Sequence, residues 1–130
     1  MRASGQRAAG LRTVTELEAP IRALSAGALK HRILDARSLA MHCLAAAKVE
    51  KNKALLRTAK QTVAGWLARY RGDTPPLLEE WRQLLDRPWT EVCAIITNPG
   101  ERATRLRQSS PFSTLLTSRE RERIYDAFRS

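Results

Sequence analysis

Residues 53–86 read KALLRTAKQTVAGWLARYRGDTPPLLEEWRQLLD, two apolar-striped runs divided by a glycine and a proline pair, and this stretch decides the fold. In the first run Leu55, Leu56, Ala59, Val63, Trp66, Leu67 and Tyr70 recur at helical intervals, which predicts a helix over 53–70 with one buried face. Gly72 and the Pro75–Pro76 pair end that helix and open another, since Gly suits the reversal after a helix and Pro suits the first turn of the next. Leu77, Leu78, Trp81, Leu84 and Leu85 repeat the pattern, with Glu79 and Glu80 early in the helix, where the macrodipole favours acids. Two such helices cover their apolar stripes by packing on one another and on further helices, so the fold class is all-α.

The flanking sequence extends the same pattern. Leu29 to Asn52 contains neither Gly nor Pro and is rich in Ala, Leu, Lys and Arg, which predicts a long helix. Pro88 opens a shorter one through Trp89, Val92, Ile95 and Ile96. Asn98-Pro99-Gly100-Glu101 offers a capping residue, a Pro at the first helical position and an acid at the third, predicting a helix over 99–108 capped by Asn98. A loop at Ser109-Ser110-Pro111 follows, and Thr117-Ser118-Arg119-Glu120 has the form of a capping box before Ile124, Tyr125 and Phe128. A short helix is expected near Val14–Leu24, interrupted by Pro20 and closed by Gly27. Residues 1–13, with Arg2, Arg7 and Arg12 among small residues, read as a flexible basic tail. The expectation is a compact bundle of five or six helices forming a single domain over 14–130, with no strand pattern.

With 43% hydrophobic residues in 130, the chain has enough apolar side chains for a core. No run approaches the roughly 20 apolar residues of a membrane span, and the first residues lack a secretory apolar stretch, so no membrane partner is expected and the cytoplasm is the expected compartment. Cys43 and Cys93 lie in MHCLAAA and EVCAIIT and are expected to be core thiols. Trp66 and Trp81 are expected in the core, and Trp89 to pin a loop. His31, Asp35 and His42 fall towards one side of the first long helix, but one helix supplies too few ligands to assign a metal. The glycines are scattered rather than gathered in a phosphate loop, and no cofactor is expected.

Charge carries most of the functional information. The net charge is +10, and it is lopsided: residues 1–72 hold 14 Lys and Arg against 4 Asp and Glu, whereas residues 73–130 hold 9 against 9. Such asymmetry points to an anionic partner, an acidic protein or nucleic acid. At about 100° per residue Lys53, Arg57, Lys60 and Arg71 cluster on a strip beside the apolar face of their helix, and these are the candidate binding residues. Few aromatics interleave with them, which favours contact with a phosphate backbone over base stacking. A DNA-binding regulator is an alternative, although no segment clearly presents a polar recognition helix. A homo-oligomer is compatible with the pattern.

Two resemblances add to this reading. Arg37 and His42, in RSLAMH, resemble the short Arg–His motif of the HEPN superfamily, many of whose members are ribonuclease toxins. That resemblance implies a metal-independent cleavage in which the Arg steadies a pentavalent phosphate and the His moves protons. The segment ITNPGERATRLRQSSPFSTLLTSRERERIYDAF, residues 96–128, resembles a group of small bacterial helical proteins sharing an RLRQSSPF-like stretch, a Leu-containing loop and an Arg/Glu-rich last helix. The likeness runs from about His42 to Phe128, with its specific part at Arg105–Leu116. It implies one component of a toxin–antitoxin-type module, with Arg105 and Arg107 placed to bind an acidic partner or to hold the C-terminal helices together. The leading expectation is therefore a non-enzymatic binding protein, with the ribonuclease and the DNA regulator as alternatives.

Overall fold

The computed structural model describes residues 26–129, all of which are helix, turn or loop with no strand among them. The basic tail expected at 1–13 and the short helix expected at 14–24 lie outside the described residues. Six α-helices follow in order: α1 (Ala26–Lys51), α2 (Ala54–Leu67), α3 (Pro76–Leu85), α4 (Trp89–Ile96), α5 (Glu101–Arg107) and α6 (Ser118–Ala127). A 3₁₀ turn, Phe112–Leu115, lies between the last two. The chain divides into two units at Ile33/Leu34. Of the first unit only the opening turns of α1 are described, with Leu29 and Ile33 exposed.

In the second unit, α1 buries His42, Ala45, Ala46 and Val49, the i, i+3, i+4, i+7 set of one face. Lys48 and Lys51 occupy its last turn, where cations offset the helix dipole. Neither Gly nor Pro separates α1 from α2. The break instead comes at Asn52, whose side-chain oxygen accepts the Ala54 N–H at 3.1 Å and so meets a donor left free at the restart. Cys43 sits one position past the buried face and is exposed, so it is not the core thiol expected from its apolar neighbours, whereas Cys93 is half-buried and packs against the core, meeting that expectation in part.

α2 ends at Leu67, one turn earlier than the apolar spacing predicts, and the chain continues through tight turns to Gly72, whose φ of +97° lets it reverse towards Pro75. Tyr70 therefore leaves the stripe and is 46% exposed. α3 begins with Pro76 in its first turn, as expected, and buries Leu78, Trp81, Leu84 and Leu85. Trp81 is fully buried and donates its indole N–H to the Leu106 carbonyl at 2.9 Å, joining α3 to α5. Phe112 lies between Trp81 and Trp89, with ring centroids 5.8 and 6.0 Å away. Losing an aromatic from such a cluster costs about 3–5 kcal/mol.

Asn98 does not cap α5. Its Oδ1 accepts the Gly100 N–H at 2.6 Å in a local turn, so Pro99 stays outside the helix and Gly100 takes the capping position. The loop at 109–111 tightens into the 3₁₀ turn, with Ser110 Oγ accepting the Phe112 N–H at 3.0 Å. At α6 the capping box is complete: Thr117 N–H donates to Glu120 Oε1 at 2.7 Å, and Glu120 N–H donates to Thr117 Oγ1 at 3.1 Å.

Candidate functional site

The described cations fall into two groups, those the fold consumes and those it leaves unmatched. Lys48 is consumed: its ammonium donates to the Leu115 carbonyl at 2.8 Å and to Glu120 at 2.7 Å, closing the open end of the 3₁₀ turn onto α6. Arg121 donates to the Ser113 carbonyl of the same turn at 2.8 Å. Arg105 makes a two-point contact with Glu80, at 2.8 and 3.2 Å, and holds that carboxyl below its usual pKa through the hydrogen bond. Arg82 pairs with Glu79, Arg87 with Glu91 and Arg129 with Asp126.

Arg107 is consumed as well, through its two terminal nitrogens, while its Nε is buried without a hydrogen-bond partner among the described residues. It is buried, and its guanidinium donates to the carbonyls of Ile96 and Asn98 at 3.2 and 2.5 Å and to the Thr104 hydroxyl at 3.2 Å. These carbonyls lie at and just beyond the end of α4, so a positive charge satisfies acceptors that the helix cannot. Of the two arginines expected to meet a partner, Arg105 is tied to a carboxylate and Arg107 is enclosed, so both act in joining α3, α4 and α5. This is the second of the two roles expected for them, holding the C-terminal helices together; which groups hold them was not legible from their neighbours, because those groups come from other helices and the segment after α4.

Most of the unmatched group lies in α1, α2 and the turn after it, with Arg119 and Arg123 of α6 the exceptions in the C-terminal half, exposed and without an ion pair among the described residues. Lys51, Arg57, Lys60, Arg69 and Arg71 are exposed and form no ion pair among the described residues. Lys53 makes one loose, exposed pair with Glu50 at 3.6 Å, a contact worth little in water. Arg57 and Lys60 sit on the strip predicted beside the buried face. Arg71 does not continue that strip, because α2 has already ended at Leu67 and helical spacing no longer applies to it. Apart from Lys48, no cation of residues 34–72 is neutralised by a carboxylate of the C-terminal half.

At the end of α2 the surface folds into a groove of about 690 Å³, between the α2–α3 corner and the segment Gln108–Thr114. Trp66, Tyr70 and Leu77 line it together with Arg69, Gln108 and Ser109. None of its lining residues is acidic. The aromatic and basic groups, Trp66, Arg69 and Tyr70, are close neighbours in sequence, but the polar wall facing them was not legible there, because Gln108 and Ser109 are brought from about forty residues away.

Arg37 and His42 do not form a joint site. Five residues apart, they are separated by roughly 140° around α1. The Arg37 guanidinium lies 4.3 Å above the Tyr125 ring, whereas His42 is 1% exposed within the core. His42 Nδ1 lies 2.7 Å from the Ser38 carbonyl and so carries the proton, leaving Nε2 a buried lone pair without a hydrogen-bond partner. Burial, opposed by the Ser38 hydrogen bond and aided by the nearby Arg107 charge, pushes the His42 pKa down from 6.5 to about 4. A phosphodiester has no approach to this ring, and the geometry does not provide the paired Arg and His of the ribonuclease alternative. His31 and Asp35 are exposed while His42 is buried, and among the described residues no group of His, Cys, Asp and Glu is arranged to hold a metal ion. Among them too, no helix is long and apolar enough to cross a membrane.

Comparison with known protein families, curated proteins and solved structures gives no match.

Proposed function

We propose that this chain is a non-enzymatic binding protein that presents the cations of α2 and its flanking turns to a polyanion, nucleic acid in the first place and an acidic protein in the second. The observation that carries this reading is the division of the charges: the C-terminal half spends all its arginines but Arg119 and Arg123 on its own carboxylates and carbonyls, while Lys51, Arg57, Lys60, Arg69 and Arg71 gather unmatched around α2. Unmatched surface cations concentrate anions and release condensed counterions when a nucleic acid docks, which gives affinity without sequence preference. One component of a toxin–antitoxin-type pair is the biological setting suggested by the resemblance of Arg105–Leu116.

The test is the double variant Arg57→Glu/Lys60→Glu, assayed by anisotropy of a labelled oligonucleotide across a salt series. Affinity at low salt should fall by tenfold or more, and the salt dependence should become shallower by about two ions, roughly one per lost phosphate contact. Unchanged affinity and slope would remove the reading.

A further inference from the structure

Resting on the nucleic-acid reading above, we infer that the groove at the end of α2 holds an unstacked base of a single-stranded nucleic acid whose adjacent phosphates lie on Arg69 and Arg71. Three features of the groove select this occupant.

The first is the apolar lining. Tyr70 is left exposed by the early end of α2, and Trp66, only half-buried, lines the same space. Flat aromatic faces open to solvent beside arginines are the elements from which base-stacking platforms are built, and every base has a face to offer them. The second is charge. Arg69 lines the groove and Arg71 follows two residues later, both without an ion pair among the described residues, and the nearest acid in sequence, Asp73, does not line it. The third is the polar lining. The Gln108 amide and the Ser109 hydroxyl both donate and accept hydrogen bonds, and neither side chain has a partner among the described residues. The edge of a base alternates donors and acceptors and suits such groups, whereas the carboxylates of an acidic peptide only accept and would use half of what they offer. In a duplex the bases are stacked and paired, so their faces cannot enter a recess. The groove therefore distinguishes a single strand from a duplex, while the strip at Arg57 and Lys60 treats them alike.

The experiment compares four labelled probes of equal length and charge type: single-stranded DNA, single-stranded RNA, a DNA duplex, and a strand with its bases replaced by abasic linkers. Each is titrated into the full chain, Tyr70→Ala, Arg69→Ala and the Arg57→Glu/Lys60→Glu variant. The full chain should bind single strands more tightly than the abasic strand, and Tyr70→Ala should weaken single-strand binding about tenfold, within the range for loss of one stacked base. The same variant should leave abasic and duplex binding unchanged, and the charge reversal should weaken all four. Equal loss for single-stranded and abasic probes in Tyr70→Ala, or no loss for either, overturns the groove proposal while leaving the polyanion reading intact. Failure of every probe to bind the full chain overturns both. Tyr70-dependent binding of a poly-glutamate peptide that excludes the oligonucleotide would assign the groove to an acidic protein instead. Because Tyr70 is exposed, its substitution should not disturb folding, and Trp66→Phe, which keeps an aromatic face, should retain single-strand preference.

Discussion

Lowering the pH should weaken this fold through one side chain, His42. The ring is neutral in the folded protein, with a pKa of about 4 against 6.5 when exposed, chiefly because it is buried. Its folded pKa is depressed, so between pH 6.5 and about 4 the unfolded chain takes up a proton that the folded chain refuses. The stabilisation is complete above pH 6.5, is lost progressively as pH falls to about 4, and is fully lost below that. The gap between the two values corresponds to roughly 3 kcal/mol, a sizeable share of the 5–15 kcal/mol typical of a domain. Urea unfolding from pH 8 to 4.5 should show this decline in the wild-type chain, and His42→Gln should show a flatter profile from a lower starting point. The carboxylates add their own acid dependence, which the variant shares, so the difference between the two curves isolates the ring. An NMR titration of the His42 ring in the folded protein should give a midpoint near 4, and a midpoint near 6.5, or parallel curves, would refute the account.

Three further outcomes follow from local geometry. Thr117→Ala removes one half of the α6 capping box and should lower stability by about 1 kcal/mol in urea unfolding, with no change in denaturant slope. Gly72→Ala meets no neighbouring atom but forces a β-carbon onto a positive φ, and should cost about 1–2 kcal/mol by the same measurement. In the native protein Cys43 should react with a thiol reagent well before Cys93, which is half-buried and whose pKa burial raises; simultaneous labelling would contradict their placement.

The helical class and most boundaries were legible because they are set locally. Pro76 in a first turn and the Thr117–Glu120 capping box can be read from a few adjacent residues, and the structure has both. The apolar stripe of α3 was equally plain. The misreadings share a different cause, since each depended on a group elsewhere or on a competing local bond. Asn98 had two uses for its side chain, and the turn to Gly100 prevailed over the helix cap. Tyr70 continues the α2 spacing on paper, but the helix has stopped by then. Cys43 has apolar neighbours in sequence but lies off the face that His42, Ala45 and Val49 bury. For the site, the strip at Arg57 and Lys60 was legible from periodicity. The burial of Arg107 was not, since the carbonyls that receive it belong to α4 and the segment just after it. The groove was hidden for the same reason, being made from two stretches that meet only after folding.

The uneven matching of charges gives ionic strength two opposed effects on this molecule. Like charges crowded along α2 repel one another in the isolated chain, and added salt relieves that strain, so the folded state should gain stability as salt rises. The same ions compete for the surface that a polyanion would occupy, so any complex should loosen over the same range. A partner that covers these cations would thus do for the fold what salt does, and the bound chain should resist heat best in dilute buffer, where the free chain resists it least.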